Sequence, residues 1–374
     1  MDEPPSCGRT DADTARNVLD LRRVRNDECT IFGNHNSRRG GKILMITNIS
    51  FEHYKVLRDA SIDLRRYNVV IGPNGSGKST LLAALRLLGA GEAFPAAPMR
   101  SVAAQSEGRN LSIRMEIEGR RQNGSDEYVW KEASGIIQRF DSISNRWHMS
   151  WPAIRSVGTY SLDERVIAQP VELQPSMELG SNGGGLAGVL DRMRDENPEQ
   201  FEGLNQEFAR LLPEFDRILF ETPGNGMRSL RLRLRSGHGV IKAADLSQGT
   251  LLALALLTIA YFPNPPAIIG IEEPDRGIHP RLYRDIQAAL YRLAYPESFG
   301  ISRKPVQVIV TTHSPFLLDL HRETPEEIII AEKTADGAEF HRLTARPELA
   351  AILDEVSLGD AWYSGVLGGV PANR

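Results

Sequence analysis

The sequence predicts an α/β fold built around a phosphate-binding loop. Three observations predict it. A short apolar strand, Asn68–Ile71, runs into Gly72-Pro73-Asn74-Gly75-Ser76-Gly77-Lys78-Ser79, and a helix follows from Lys78 to about Leu88. Strand and helix patterns alternate again over residues 250–311. Residues 110–117 alternate as an antiparallel strand with one wet face would.

The elements follow in order. Residues 1–41 are polar, rich in Arg, Asp and Asn, and read as a flexible leader. The head is expected over residues 42–345, with residues 346–374 as a C-terminal helix and tail. Ile46, Ile49 and Phe51 supply a first strand, and Ala60–Leu64 alternates as a second. Residues 120–228 read as a helical or irregular insertion, carrying Trp130, Trp147 and Trp151. Within it Gly183–Gly185 leads into a helix at Leu186–Arg194. Glu199–Ile218 reads as one amphipathic helix, with Phe201, Leu204, Phe208, Leu211, Leu212 and Phe215 on its apolar side. Leu230–Arg235 is a period-2 strand whose Arg face is either solvated or free to touch phosphates. A buried helix (Thr250–Tyr261), strand Ala267–Ile271, helix Pro280–Tyr291 and strand Val306–Thr311 come next. Glu327–Glu332 and Ala338–Leu343 read as a hairpin, with a last helix near Pro347–Glu355.

Composition narrows the class. A chain of 374 residues, 41% hydrophobic and 25% charged, can bury a sizeable core. The net charge of -4 gives no global attraction to nucleic acid. Cys7 and Cys29 have no zinc-type spacing and read as reduced thiols. The longest apolar run, Leu251–Phe262, falls short of the ~18–20 residues that span a bilayer. The N-terminus lacks an apolar signal core. A cytoplasmic protein without a membrane partner is expected.

Four motifs carry the chemistry. In the first, the glycines let backbone N–H groups converge on phosphate oxygens, and the helix start adds its dipole. Lys78 is suited to β- and γ-phosphates and the Ser79 hydroxyl to Mg²⁺. Gly72, Pro73, Asn74, Gly75, Ser76, Gly77, Lys78, Ser79 and Thr80 are therefore the nucleotide-binding candidates. In the second, the apolar strand Ala267–Ile271 ends in Glu272-Glu273-Pro274. Glu272 is suited to hold Mg²⁺ and Glu273 to deprotonate a water. Alone, two carboxylates at a strand end are as easily a solvated terminus. The third is Leu246-Ser247-Gln248-Gly249-Thr250 at the start of the buried helix, either an anion site or an ordinary serine cap. The fourth is strand Val308–Thr311 followed by Thr312-His313-Ser314-Pro315. A lone His is more often structural, but one delivered beside a phosphate loop and a carboxylate strand suits a γ-phosphate.

The order of these motifs resembles the ATP-binding cassette (ABC) superfamily. Gly72–Ser79 is similar to its Walker A, Leu246–Thr250 to its signature, Ile268–Glu273 to its Walker B and His313 to its switch histidine. Ile46–Lys55, Glu272–Pro280 and Thr312–Pro315 resemble the RecF/SMC-related and overcoming-lysogenisation-defect (OLD) type of ATPase. The resemblance implies an ABC-type P-loop NTPase head with a mixed central sheet, an antiparallel β subdomain and a helical insertion. It implies that ATP with Mg²⁺ is held between two protomers, so Ser247, Gln248 and Gly249 act on a partner's nucleotide. Glu273 would be the general base and His313 the γ-phosphate contact. Asp275–His279 would be an inter-protomer loop, and Lys55 would reach a phosphate. Two departures stand out: Glu272 replaces the usual Walker B Asp, and no clear glutamine loop is present. Gln105 is the nearest candidate and reads as a solvated loop residue. The 61 residues after His313 contain no DxD, so no built-in nuclease of the Toprim type is expected.

An ATPase that dimerises on Mg-ATP is thus expected, as a homodimer or higher oligomer. The leading reading is the ATPase subunit of a DNA-directed system, in anti-phage defence or DNA repair, with an effector supplied by a separate protein. Leu230–Arg235 and the basic stretch Arg38–Lys42 are its candidate DNA contacts. The alternative is a nucleotide-controlled switch or scaffold that does not contact DNA. A transporter cassette is a third reading, opposed by the Glu-Glu-Pro ending.

Overall fold

A computed structural model describes residues 45–90, 94–101, 109–117, 126–133, 136–141, 146–148, 157–224, 226–237 and 239–370. The leader, Arg38–Lys42, both cysteines, Gln105 and Trp151 lie outside the described residues.

The chain begins with strands β1 (Ile46–Tyr54), β2 (Leu57–Asp63) and β3 (Tyr67–Ile71). β1 and β2 form an antiparallel hairpin that buries Ile49, Phe51 and Tyr54. β3 is buried along its whole length, as a strand covered on both faces must be. The phosphate loop leads from β3 into helix α1 (Lys78–Ala90). Strands β4 (Phe94–Pro95), β5 (Ser112–Ile117), β6 (Asp126–Ala133), β7 (Ile136–Asp141) and β8 (Arg146–His148) follow. They extend the hairpin into a 7-stranded sheet ordered β2-β1-β5-β6-β7-β4, with β8 on β7. The stretch from residue 120, expected to be helical or irregular, therefore opens with antiparallel strands. It also contains β9 (Val157–Tyr160), which joins the other large sheet.

The middle of the chain holds α2 (Glu164–Ile167), β10 (Val171–Glu172), α3 (Leu186–Glu196), α4 (Pro198–Leu211), β11 (Phe215–Glu221), β12 (Met227–Leu234) and β13 (Val240–Lys242). Phe201, Leu204, Phe208 and Leu211 are the buried stripe of α4. Phe215 is not on that helix. Pro213 removes a helical N–H and steers Leu212 out of the α region, so the chain turns and Phe215 opens a strand. The Arg side chains of β12 and the turn beyond it are engaged within the chain. Arg228 pairs with Asp191, Arg231 with Glu221 and Arg233 with Asp216. Arg235 donates to the carbonyls of Ala209, Pro213 and Phe215.

Next come α5 (Gln248–Ala260), β14 (Ile268–Glu272), α6 (Tyr283–Ala294), β15 (Gln307–Thr312), α7 (Pro315–Asp319), β16 (Ile328–Thr334) and β17 (Gly337–Arg342). Two helices close the described chain, α8 (Leu349–Glu355) and α9 (Leu358–Tyr363). The second large sheet is ordered β17-β16-β3-β15-β14-β9. Its strands from β16 through β9 are parallel, and β17 is antiparallel. The sheet is thus mixed. α5 is buried from Thr250 to Ala260 because α2, α4 and α6 all pack against it. Burying an apolar side chain of this size contributes about 1.5–3 kcal/mol, so this run of buried leucines anchors the head. No helix among the described residues is long and apolar enough to cross a membrane.

Candidate functional site

Four parallel strands end side by side. Thr312 of β15 lies opposite Ile71 of β3, Glu272 of β14 opposite Thr311, and Ile271 opposite Tyr160 of β9. Whatever follows each strand is delivered to one edge, where ligands of open parallel sheets bind.

After β3 comes the phosphate loop. Gly75 and Gly77 hold positive φ of 79° and 91°, which side-chain-bearing residues rarely adopt. Ser76 is fully buried beneath the loop, and Asn74 and Gly75 are exposed on it. Lys78 Nζ donates to the Gly72 carbonyl at 2.8 Å and the Pro73 carbonyl at 2.9 Å. Burial lowers the Lys78 pKa to about 8, against the opposing pull of Glu273 and Glu272. The Ser79 hydroxyl donates to Glu272 Oε1, joining two residues 193 positions apart. Thr80 follows on α1, half-buried. Lys55 sits at the β1–β2 turn with its ammonium 5.8 Å from the Tyr54 ring centre, and its N–H donates to Met99 O.

After β14 comes Glu273, a non-glycine residue with φ of 44°. Its N–H donates to Thr311 O at 2.9 Å. Such a conformation costs on the order of 1–3 kcal/mol and concentrates at functional positions. Here it turns the carboxylate toward the strand end of β15, where Glu273 Oε1 lies 3.4 Å from His313 Nε2. Burial, then the charge of Lys78, lowers the His313 pKa, with Glu273 opposing. His313 is therefore neutral at pH 7, one ring nitrogen donating and the other accepting. The sequence did not single out the bond behind it. Thr312 Oγ1 donates to Asp275 Oδ1 at 2.8 Å, tying the loop after β14 to the residue before His313. Burial raises the pKa of Asp275 and the Thr312 bond opposes that shift.

The structure thus brings Lys78, Ser79, Glu272, Glu273 and His313 together. It sets Ser247, Gln248 and Gly249 elsewhere, at the start of α5. Ser247 caps that helix by accepting from Thr250 N at 3.2 Å, and Ser247 and Gln248 are exposed. Gln248 donates to Glu164 at 3.4 Å. A Cβ on Gly249 would lie 2.8 Å from the Gly277 carbonyl, so this helix start abuts the loop of Asp275–His279.

The Ser79 hydroxyl and the Glu272 carboxylate are hard oxygen donors already in contact. Mg²⁺ takes one or two such protein oxygens and completes its shell with phosphates and water, so the pair fits it. Beside them is a cleft of 270 Å³, lined by Ser79, Arg86, Thr159, Ser161, Ser181, Asn182 and Glu272 among others. Residues 159–182 were illegible in sequence as a site. Only their place at the end of a strand beside β14 could have marked them.

Comparison with known proteins adds the lineage. Residues 133–319 match the family described as "AAA domain, putative AbiEii toxin, Type IV TA system". Residues 45–143 match the family described as "AAA ATPase domain". A curated relative, the OLD nuclease of Thermus scotoductus, is 23% identical over 330 residues, covering 74% of this chain. The chain spans 60% of that relative's length. Among solved structures, an SMC head bound to the C-terminal winged-helix domain of ScpA superposes with a TM-score of 0.53 at 15% identity. That match covers 79% of this chain and 97% of the SMC head. The SMC head of Pyrococcus yayanosii gives 0.47 at 11% identity, covering 83% of this chain and 99% of its own. The likeness in fold rests on the first of these.

Proposed function

The chain belongs to the AAA-domain family that its residues 133–319 match and is an ATP-hydrolysing P-loop NTPase; from that premise we propose that two heads close on Mg-ATP and hydrolyse it between them. The backbone of Gly72–Thr80 cradles the phosphates, and Lys78 neutralises the β- and γ-groups. Ser79 and Glu272 hold Mg²⁺, which when bound draws charge from the leaving phosphate oxygens. Glu273 takes the proton of the attacking water, and neutral His313 donates to the γ-phosphate from the neighbouring strand end. Ser247, Gln248 and Gly249 complete the site of the partner head.

One observation carries this reading. The Ser79–Glu272 contact and the Glu273–His313 approach assemble at one strand edge, while the exposed signature residues bond to Thr250 and Glu164. A helix start with exposed Ser and Gln beside Gly is a ready anion site for a second molecule.

The cellular role we propose is a cytoplasmic, DNA-directed one, in defence or repair, with a separate effector protein. Its support is the naming of the OLD nuclease relative and of a toxin system in the family description. The second reading is a nucleotide-controlled switch that does not contact DNA. The internal engagement of Arg231, Arg233 and Arg235 favours it, because it occupies the described candidate DNA face.

The test is ATP turnover against protein concentration, with and without duplex DNA, for the wild type and Glu273→Gln. Turnover per chain that rises with concentration and falls ~10²–10⁴-fold in the variant supports the composite site. Stimulation by DNA supports the DNA-directed role. No turnover at any concentration contradicts autonomous hydrolysis.

A further inference from the structure

Three of the four strand ends at the site have roles above, and the fourth, β9, has none. We infer that Ser161, the residue that follows β9, is a positioning residue for the metal's water shell. This rests on the Mg-ATP reading.

The register places it. Ile271 lies opposite Tyr160, so Ser161 is the next step along β9, beside Glu272 of the neighbouring strand. The 270 Å³ cleft confirms the juxtaposition: Ser79 and Glu272 line it together with Thr159, Ser161, Ser181 and Asn182. It has room for several ordered waters.

The chemistry follows from the donor count. Two protein oxygens and the nucleotide leave Mg²⁺ with bound waters, because this ion dehydrates reluctantly. Those waters are strong hydrogen-bond donors and need acceptors on the protein side. The Ser161 and Ser181 hydroxyls have no hydrogen-bond partner among the described residues. Asn182 Oδ1 is already occupied by Gly184 N at 3.1 Å. Arg86, which also lines the cleft, can only donate.

Ser161 is also held still. Its N–H donates to Ser181 O at 2.7 Å, and Asp163 N donates to Asn182 O at 3.0 Å. This short ladder fixes the backbone on which the hydroxyl stands, as a site that orients a ligand shell requires. Ser161 rather than Ser181 is chosen because β9 adjoins β14 directly.

The experiment is an electron paramagnetic resonance titration of the full chain with Mn²⁺ in the presence of a non-hydrolysable ATP analogue. Wild type, Ser161→Ala and Ser161→Thr are compared. Metal-free binding of a fluorescent ATP analogue is measured alongside. We expect Ser161→Ala to weaken Mn²⁺ binding about 10-fold, the low end for loss of an outer-shell partner. Ser161→Thr keeps the hydroxyl and should stay within about twofold of wild type. Metal-free nucleotide binding should not change in either. Wild-type Mn²⁺ affinity in Ser161→Ala overturns the inference, as does an equal loss in both variants. Absence of nucleotide-dependent Mn²⁺ binding in the wild type contradicts the Mg-ATP reading itself.

Discussion

Gly77→Ala should destabilise the head by about 2–5 kcal/mol, and the structure divides that figure into two parts. Gly77 has φ of 91°. Holding an alanine in the left-handed region costs about 1–2 kcal/mol. The new methyl would also lie 2.6 Å from Leu57 Cδ2, 3.2 Å from Ala338 Cβ and 3.4 Å from Phe340 Cζ. Leu57 is fully buried and Ala338 nearly so, so neither can swing aside. Overpacking of this kind adds about 1–3 kcal/mol. Gly75 is the control. Its φ is 79°, but nothing lies within 4 Å of its added Cβ. Gly75→Ala should therefore lose only the first part. Urea unfolding followed by circular dichroism gives both values. Nucleotide affinity, read with a fluorescent ATP analogue, should fall at least about tenfold in Gly77→Ala, since a shift of ~1.4 kcal/mol is enough. Equal destabilisation by the two substitutions, or a Gly77→Ala cost below about 0.5 kcal/mol, would refute the packing argument.

Other predictions follow from the same site. Burial sets the Lys78 pKa near 8, below the ordinary 10.5. The cost of burying its charge is thus fully present below about pH 8 and is relieved as pH rises toward 10.5. ATP binding needs the charged amine, so affinity should fall by up to ~tenfold per pH unit above 8; a flat profile from pH 7 to 9.5 would contradict it. Thr312→Val takes one of its donors from the half-buried Asp275 carboxylate and should cost about 1–3 kcal/mol in urea unfolding. It should lower turnover more than nucleotide affinity, because His313 is the next residue. Arg233→Ala breaks a half-exposed pair with Asp216 and should change stability by no more than about 1 kcal/mol. If Arg233 instead serves DNA, the salt dependence of DNA binding will weaken in the variant.

Much of the head was legible because its signals are local. The strand before Gly72, the carboxylates at the end of β14 and the His after β15 each sit within one short segment. The rest depended on contacts distant in sequence. β9 is four residues, Val-Gly-Thr-Tyr, and is a strand because β14 and α1 flank it. Phe215 fits the apolar stripe of α4 in helical spacing, and only the break at Pro213 removes it. The Arg alternation of β12 was visible, but its partners Glu221 and Asp216 come from β11. In the site, the motif chemistry paired Ser79 with Glu272 across 193 positions, whereas nothing local marks Ser161.

The composite site is tested most directly by complementation. Lys78→Ala removes the phosphate-loop amine, and Ser247→Arg blocks the helix start proposed to serve the partner. Each variant alone should hydrolyse no ATP. Mixed in equal amounts, half of the dimers pair one of each, and every such pair holds one intact site. Turnover should return to roughly a quarter of the wild-type rate, as a two-fold symmetric dimer requires. A mixture as inactive as its components, with both variants folded and dimeric, would mean that each chain builds its site alone.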